Sequence, residues 1–129
     1  MSFEIKITQL YFGKPSRRWI VQDGNIMYLD NFAREPDGRL VEKRSLTSEE
    51  IKKLEKTLEN LNEIEFNETY DSRQVEDGFQ MIVEWKIGDR QQKVSIYNYW
   101  LEEISKLIDE VNKLVKKENR LEYKEKDFK

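Results

Sequence analysis

Apolar and polar residues alternate from the start of the chain. Phe3, Ile5 and Ile7 are separated by Glu4, Lys6 and Thr8, the two-residue period of a strand with one buried face. The parity then shifts to Leu10 and Phe12, which places a bulge near Thr8-Gln9. Gly13-Lys14-Pro15-Ser16 reads as a turn, and Asp23-Gly24 as the short turn joining strands at 18–22 and 26–30. Pro36-Asp37-Gly38 marks another turn before a fourth strand of poor pattern at 39–44. The period then changes. Ile51, Leu54, Leu58 and Leu61 recur at helical spacing behind Thr47-Ser48-Glu49-Glu50, a capping box, which predicts a helix over 48–62. Ile64 and Phe66 suggest a short strand before the polar stretch 67–77.

The longest alternation is Phe79, Met81, Val83, Trp85 and Ile87, which Gly88-Asp89-Arg90 turns back into a strand at 93–98. A second helix is predicted over 100–117 from the stripe Leu101, Ile104, Leu107, Ile108, Val111, Leu114 and Val115. The charged segment 119–129 lacks a clear period and is expected to fray from a domain spanning 1–118. Short, turn-like connections favour antiparallel pairing. The expected fold is α+β: a single, mainly antiparallel sheet of six to seven strands, with two amphipathic helices packed on the face of Val83 and Trp85. Asp23-Gly24 with Met27 recurs as Asp77-Gly78 with Met81, a spacing compatible with a duplicated strand–strand–helix unit.

Composition narrows the chemistry more than it alters the fold. The 129 residues include no histidine and no cysteine. Imidazole acid–base catalysis, Ser-His-Asp and Cys-His nucleophilic sites, zinc ribbons and thiol redox chemistry are therefore excluded. No phosphate-cradling glycine loop or Ser-x-x-Lys pair is present. The N-terminus shows no export signal, and no apolar run approaches the ~20 residues that span a bilayer, so the expectation is a cytoplasmic protein without a cofactor.

Charge is unevenly spread. Residues 47–78 hold ten acidic and four basic side chains, a net −6, whereas 1–46 carry +2 and 79–129 carry +1. Nucleic acid, which is held by clustered Lys and Arg, is disfavoured as a partner. Within the acidic block, Glu59, Glu63, Glu65, Glu68, Asp71, Glu76 and Asp77 form a candidate surface for a basic protein. The same carboxylates invite a magnesium or calcium reading, but the calcium-loop spacing is not met, and a solvated acidic loop is the better account of them.

Two further candidates remain. Tyr97-Asn98-Tyr99-Trp100 stand before the second helix, where free amides and the helix dipole can receive a planar or anionic ligand. The alternative is structural: Asn98 caps the helix and the aromatics pack around its first turn. Lys14, Arg17 and Arg18 beside Trp19, with Tyr11 and Phe12 nearby, form either a small basic–aromatic platform or a protected strand edge.

The stretch from Leu46 to Leu114 has a Thr-Ser-Glu-Glu-Ile helix start, then Tyr70-Asp71-Ser72 and Asp77-Gly78 opening a long strand, and Asn98-Tyr99 before the last helix. In these features it resembles small bacterial domains of unknown function, some of which are immunity proteins of contact-dependent toxin systems. The resemblance implies a stand-alone domain and assigns no residue role. The expected function is a non-enzymatic protein-binding module, an inhibitor or immunity-type partner of a basic protein. The alternative is a small-ligand or carboxylate-dependent (Mg/Ca) domain with its site near Tyr97 to Trp100.

Overall fold

The computed structural model describes residues 2–72 and 78–128. Its elements are β1 (Phe3–Tyr11), β2 (Lys14–Gln22), β3 (Asn25–Asp30), β4 (Arg39–Ser45), α1 (Ser48–Asn62), β5 (Thr69–Asp71), β6 (Gln80–Ile87), β7 (Arg90–Tyr97) and α2 (Glu102–Asn112). All seven strands join one sheet in the order β4-β3-β2-β1-β6-β7-β5. Every neighbouring pair is antiparallel except β5 and β7, which are parallel.

Alternation decides what the sheet buries. Ile5 and Ile7 of β1 stand in register with Val21 and Trp19 of β2 on one side and with Trp85 and Val83 of β6 on the other. All six are buried, and they form one core with Leu54, Leu58 and Leu61 of α1 and Ile104, Leu107, Ile108 and Val111 of α2. Both helices therefore pack on the predicted face. The expected bulge is present one residue further on, between Gln9 and Leu10. Asp23 and Gly24 form the β2–β3 turn with φ of 50° and 76°, a conformation suited to Gly and to short polar side chains. The first turn is shifted from its expected place: Phe12 and Gly13 make it, and Lys14 already belongs to β2.

The poor pattern of β4 has a physical cause. Its inward positions do polar work: Arg44 forks onto Glu50 of α1 at 2.9 and 3.0 Å and reaches the Leu114 carbonyl, while Glu42 accepts from the Lys116 amide and the Asn119 side chain. α1 matches its predicted span, and both bonds of the Thr47/Glu50 capping box are made.

Three expectations need correction. Ile64 and Phe66 are not in a strand; Phe66 turns edge-on to Trp85 at 5.8 Å, and the strand falls later, at Thr69–Asp71. α2 is shorter than its apolar stripe, ending at Asn112. The Asn112 carboxamide binds both the amide and the carbonyl of Leu121, so the chain folds back while Leu114 and Val115 stay buried outside the helix. Segment 119–129 was expected to fray, yet Leu121 and Tyr123 belong to the core, 3% and 5% exposed. The Trp19 indole donates to the Asn119 carbonyl at 2.7 Å, and Arg17 donates to the Arg120 carbonyl. As for the Asp-Gly echo, Asp77 lies outside the described residues, and Gly78 sits against the Asn98 carboxamide, where any Cβ would overlap it. The two glycines thus serve different purposes.

Candidate functional site

Of the acidic candidates, Glu59 lies in the last turn of α1, and Glu63, Glu65, Glu68 and Asp71 follow along the β5–β7 edge of the sheet. α1 ends at Asn62, whose Oδ1 accepts from the Trp85 indole at 3.0 Å and from Gln92 Nε2 at 2.9 Å. This buried carboxamide pins the end of the helix to β6 and β7, and the chain then passes toward β5 through Glu63, Glu65 and Glu68. β5 closes only the far half of β7, pairing Thr69, Tyr70 and Asp71 with Ser95, Ile96 and Tyr97. Along the near half runs a groove of about 590 Å³ lined by Phe66, Glu68, Thr69, Gln91, Gln92, Lys93 and Ser95. A second hollow of about 600 Å³ adjoins it, with Glu63, Glu65, Asp89 and Arg90 in its wall.

Glu59, Glu63, Glu65, Glu68 and Asp71 are all exposed. Among the described residues none of the five has an ion-pair partner; the pairs formed are Lys6–Glu84, Arg39–Asp30, Arg44–Glu50 and Lys106–Glu103. No basic residue lies in the last turn of α1, so Glu59 and Glu63 stand unopposed at the negative end of its dipole. The structure strings these carboxylates out from the last turn of α1 to β5, and among the described residues no group of three acidic side chains converges as a metal site would require. Glu76 and Asp77 lie outside the described residues.

In the second candidate, Tyr99 and Trp100 are engaged by other rings of the fold. Tyr97 ends β7 on the outer face of the sheet, and Asn98 takes φ of 53°, the left-handed conformation that asparagine tolerates best after glycine. Asn98 does not cap α2: the N-cap is Leu101, which offers no side-chain cap. Tyr99 leans on Tyr70 at 5.2 Å, and Trp100 leans on Tyr123 at 4.7 Å with its indole N–H directed to Glu102 at 3.3 Å. Glu102 and Glu103 occupy the positive end of the helix, so an anion there would meet two carboxylates.

Tyr123 is the residue that sequence reasoning missed. Its hydroxyl donates to the Tyr99 carbonyl at 2.7 Å and accepts from the Leu101 amide at 2.8 Å, holding the β7–α2 junction from the C-terminal segment. Burial pushes its phenol up to about 12. The alternation of Leu121 and Tyr123 was the available signal, though two positions are a short pattern.

The basic–aromatic cluster divides between the two faces of β2. Arg17 points inward with the buried Trp19, donates to Tyr28 Oη at 2.7 Å and lies over both rings. Arg18 points outward, bonded to Thr8 and stacked on Phe32 at 4.9 Å. Alternation along the strand prevents these residues from forming one platform. Tyr11 and Phe12 stay at the hairpin tip, 70% and 66% exposed.

Comparison with known proteins adds no assignment. No family model matches the chain, and no curated protein matches it. No helix of the described residues is long and apolar enough to cross a membrane.

Proposed function

We propose that this chain is a non-enzymatic, cytoplasmic protein-binding module whose acidic edge recognises a basic partner, as an inhibitor or immunity-type protein does. One observation carries the reading: Glu59 and Glu63 are exposed and unpaired at the negative end of α1, and Glu65 and Glu68 are exposed and unpaired in the segment that follows it. Like charges in that position oppose folding slightly, so the fold does not account for them. A basic partner does, because a concentrated field steers encounter and selects by sign. The pKa shifts found elsewhere run away from neutrality, with Glu50 held down at about 2 by Arg44 and Tyr123 pushed up to about 12 by burial. Neither group is poised for proton transfer near pH 7. The alternative small-ligand reading at Tyr97 to Trp100 is weakened by the internal contacts of Trp100 and by Glu102 and Glu103.

The test is kinetic. For a partner captured with the intact protein, the association rate should fall as salt shortens the Debye length from ~30 Å at 0.01 M to ~8 Å at 0.15 M. It should fall again when Glu63, Glu65 and Glu68 are all changed to Lys, with the circular dichroism spectrum unchanged. A partner indifferent to both would remove the acidic edge from the recognition.

A further inference from the structure

We infer that the near half of β7 is a strand-docking edge that takes a basic, extended segment of the partner protein as an added strand, in line with β5. This rests on the acidic-edge reading and specifies how the partner is held. The Ser95 amide donates outward to the Glu68 carbonyl at 2.8 Å, and the Tyr97 carbonyl accepts from the Ser72 amide at 3.0 Å. These two residues therefore aim their backbone groups away from β6. Alternation along the strand aims those of Gln91 and Lys93 the same way. Among the described residues no strand pairs with β7 on that side before Ser95. The gap exists because the chain enters β5 from beneath the sheet: Phe66 is turned onto Trp85, which leaves the groove of about 590 Å³ between Glu68 and Gln91–Lys93. Arg90 to Lys93 is four residues of strand, so the open ladder is ~13 Å long at ~3.3 Å per residue.

The rim selects the occupant. Glu63, Glu65, Glu68 and Asp89 border the two hollows against Arg90 and Lys93, which leaves an excess of negative charge for a cationic segment. A second copy of this chain pairing through the same edge would bring the same acidic rim with it, an arrangement disfavoured by like charge. The opposite edge of the sheet, β4, has Arg39 paired with Asp30, Arg44 paired with Glu50 and Lys43 exposed, and so offers a cationic segment no comparable excess of negative charge. Main-chain hydrogen bonds supply the affinity in strand addition, and side chains supply the selectivity.

The probe is a capped octapeptide of alternating lysine and valine, titrated into the intact protein and followed by amide resonances and amide exchange. Expected is saturable binding with slowed exchange at Gln91 and Lys93, and at least tenfold weaker binding of the same peptide N-methylated at alternate residues. The glutamate–valine peptide should not bind. Gln91→Pro removes one edge-facing N–H without touching the β6 ladder and should weaken the lysine peptide; the N-methylated peptide gives the same information on the unaltered protein. Equal binding of the N-methylated peptide, or unchanged exchange at Gln91 and Lys93 at saturation, overturns strand addition while leaving the acidic edge as a charged surface. No binding of the lysine peptide also overturns it, and the salt dependence of the natural partner then decides the acidic-edge reading by itself.

Discussion

The two helices share one core but are fixed in opposite ways. α1 carries its own fastening: Thr47 and Glu50 close the capping box, and Glu50 also grips Arg44 of β4. α2 has no side-chain cap, and the amide just before it is satisfied by Tyr123, 22 residues away. A helix with a local start signal needs little more than its apolar stripe to find its place. A helix without one depends on whatever segment completes its ends, so α2 and the C-terminal segment form one structural unit.

Removing residues 119–129 should therefore be the most damaging change to this contrast. It deletes two core side chains, and losing a buried large side chain typically costs ~2–5 kcal/mol. The expected outcome is a large drop in the urea midpoint, with amide exchange rising across α2 before α1. Tyr123→Phe isolates the hydroxyl. It leaves the ring stack and strands the Leu101 amide and the Tyr99 carbonyl, costing ~1–3 kcal/mol. Because the phenol is raised from its ordinary 10.0 to about 12, the neutral form is favoured in the fold. That stabilisation is full below pH ~10 and is lost as pH climbs toward 12, a decline that Tyr123→Phe should lack. Equal melting of both proteins across that range would show that the hydroxyl holds nothing.

The same contrast explains what could be read from sequence. The α1 boundaries, the β6–β7 hairpin and the burial of Val83 and Trp85 follow from local periods and turn chemistry, which are written in adjacent residues. The end of α2, the position of β5 and the docking of Leu121 and Tyr123 depend on partners distant in the chain. Asn112 falls between apolar positions of a stripe that continues past it and gives no local signal of a helix end, although its carboxamide pairs with Leu121 where the helix stops. The acidic residues were identifiable by type and density. Their alignment beside an open strand edge was not, because it depends on Asn62 and Phe66 both anchoring to Trp85.

Smaller effects should appear at the start of α1. Thr47→Ala removes one cap bond, for a loss of ~0.5–2 kcal/mol. Glu50→Gln keeps a capping side chain but discharges the partner of Arg44, with ~1 kcal/mol or less at stake for so exposed a pair. The Glu50 carboxyl is lowered from 4.5 to about 2, chiefly by its hydrogen bond to Arg44. Its contribution is thus present above pH ~4.5 and lost as pH falls toward 2. Denaturant midpoints of wild type and Glu50→Gln should differ at pH 7 and converge near pH 2. A gap that persisted at pH 2 would assign the difference to packing instead.

The smallest expected effect lies at the other end of the same helix and has the opposite sign. Glu50 sits at the positive end of the dipole with an arginine; Glu59 and Glu63 sit at the negative end without one. Changing Glu59 and Glu63 to Lys replaces two unfavourable charge–dipole contacts with favourable ones, worth ~0.3–1 kcal/mol each at low ionic strength. The double variant should be slightly more stable than wild type in 0.01 M salt, and the gain should shrink in 1 M salt, where the Debye length is ~3 Å. A cost in stability at these carboxylates is compatible with the proposed recognition of a basic partner, since binding sites commonly trade stability for function. Partner association should fall in the same variant that gains stability. A double variant less stable than wild type at low salt would mean that Glu59 and Glu63 have partners in the fold, and the contrast between the two ends of α1 would lose its functional meaning.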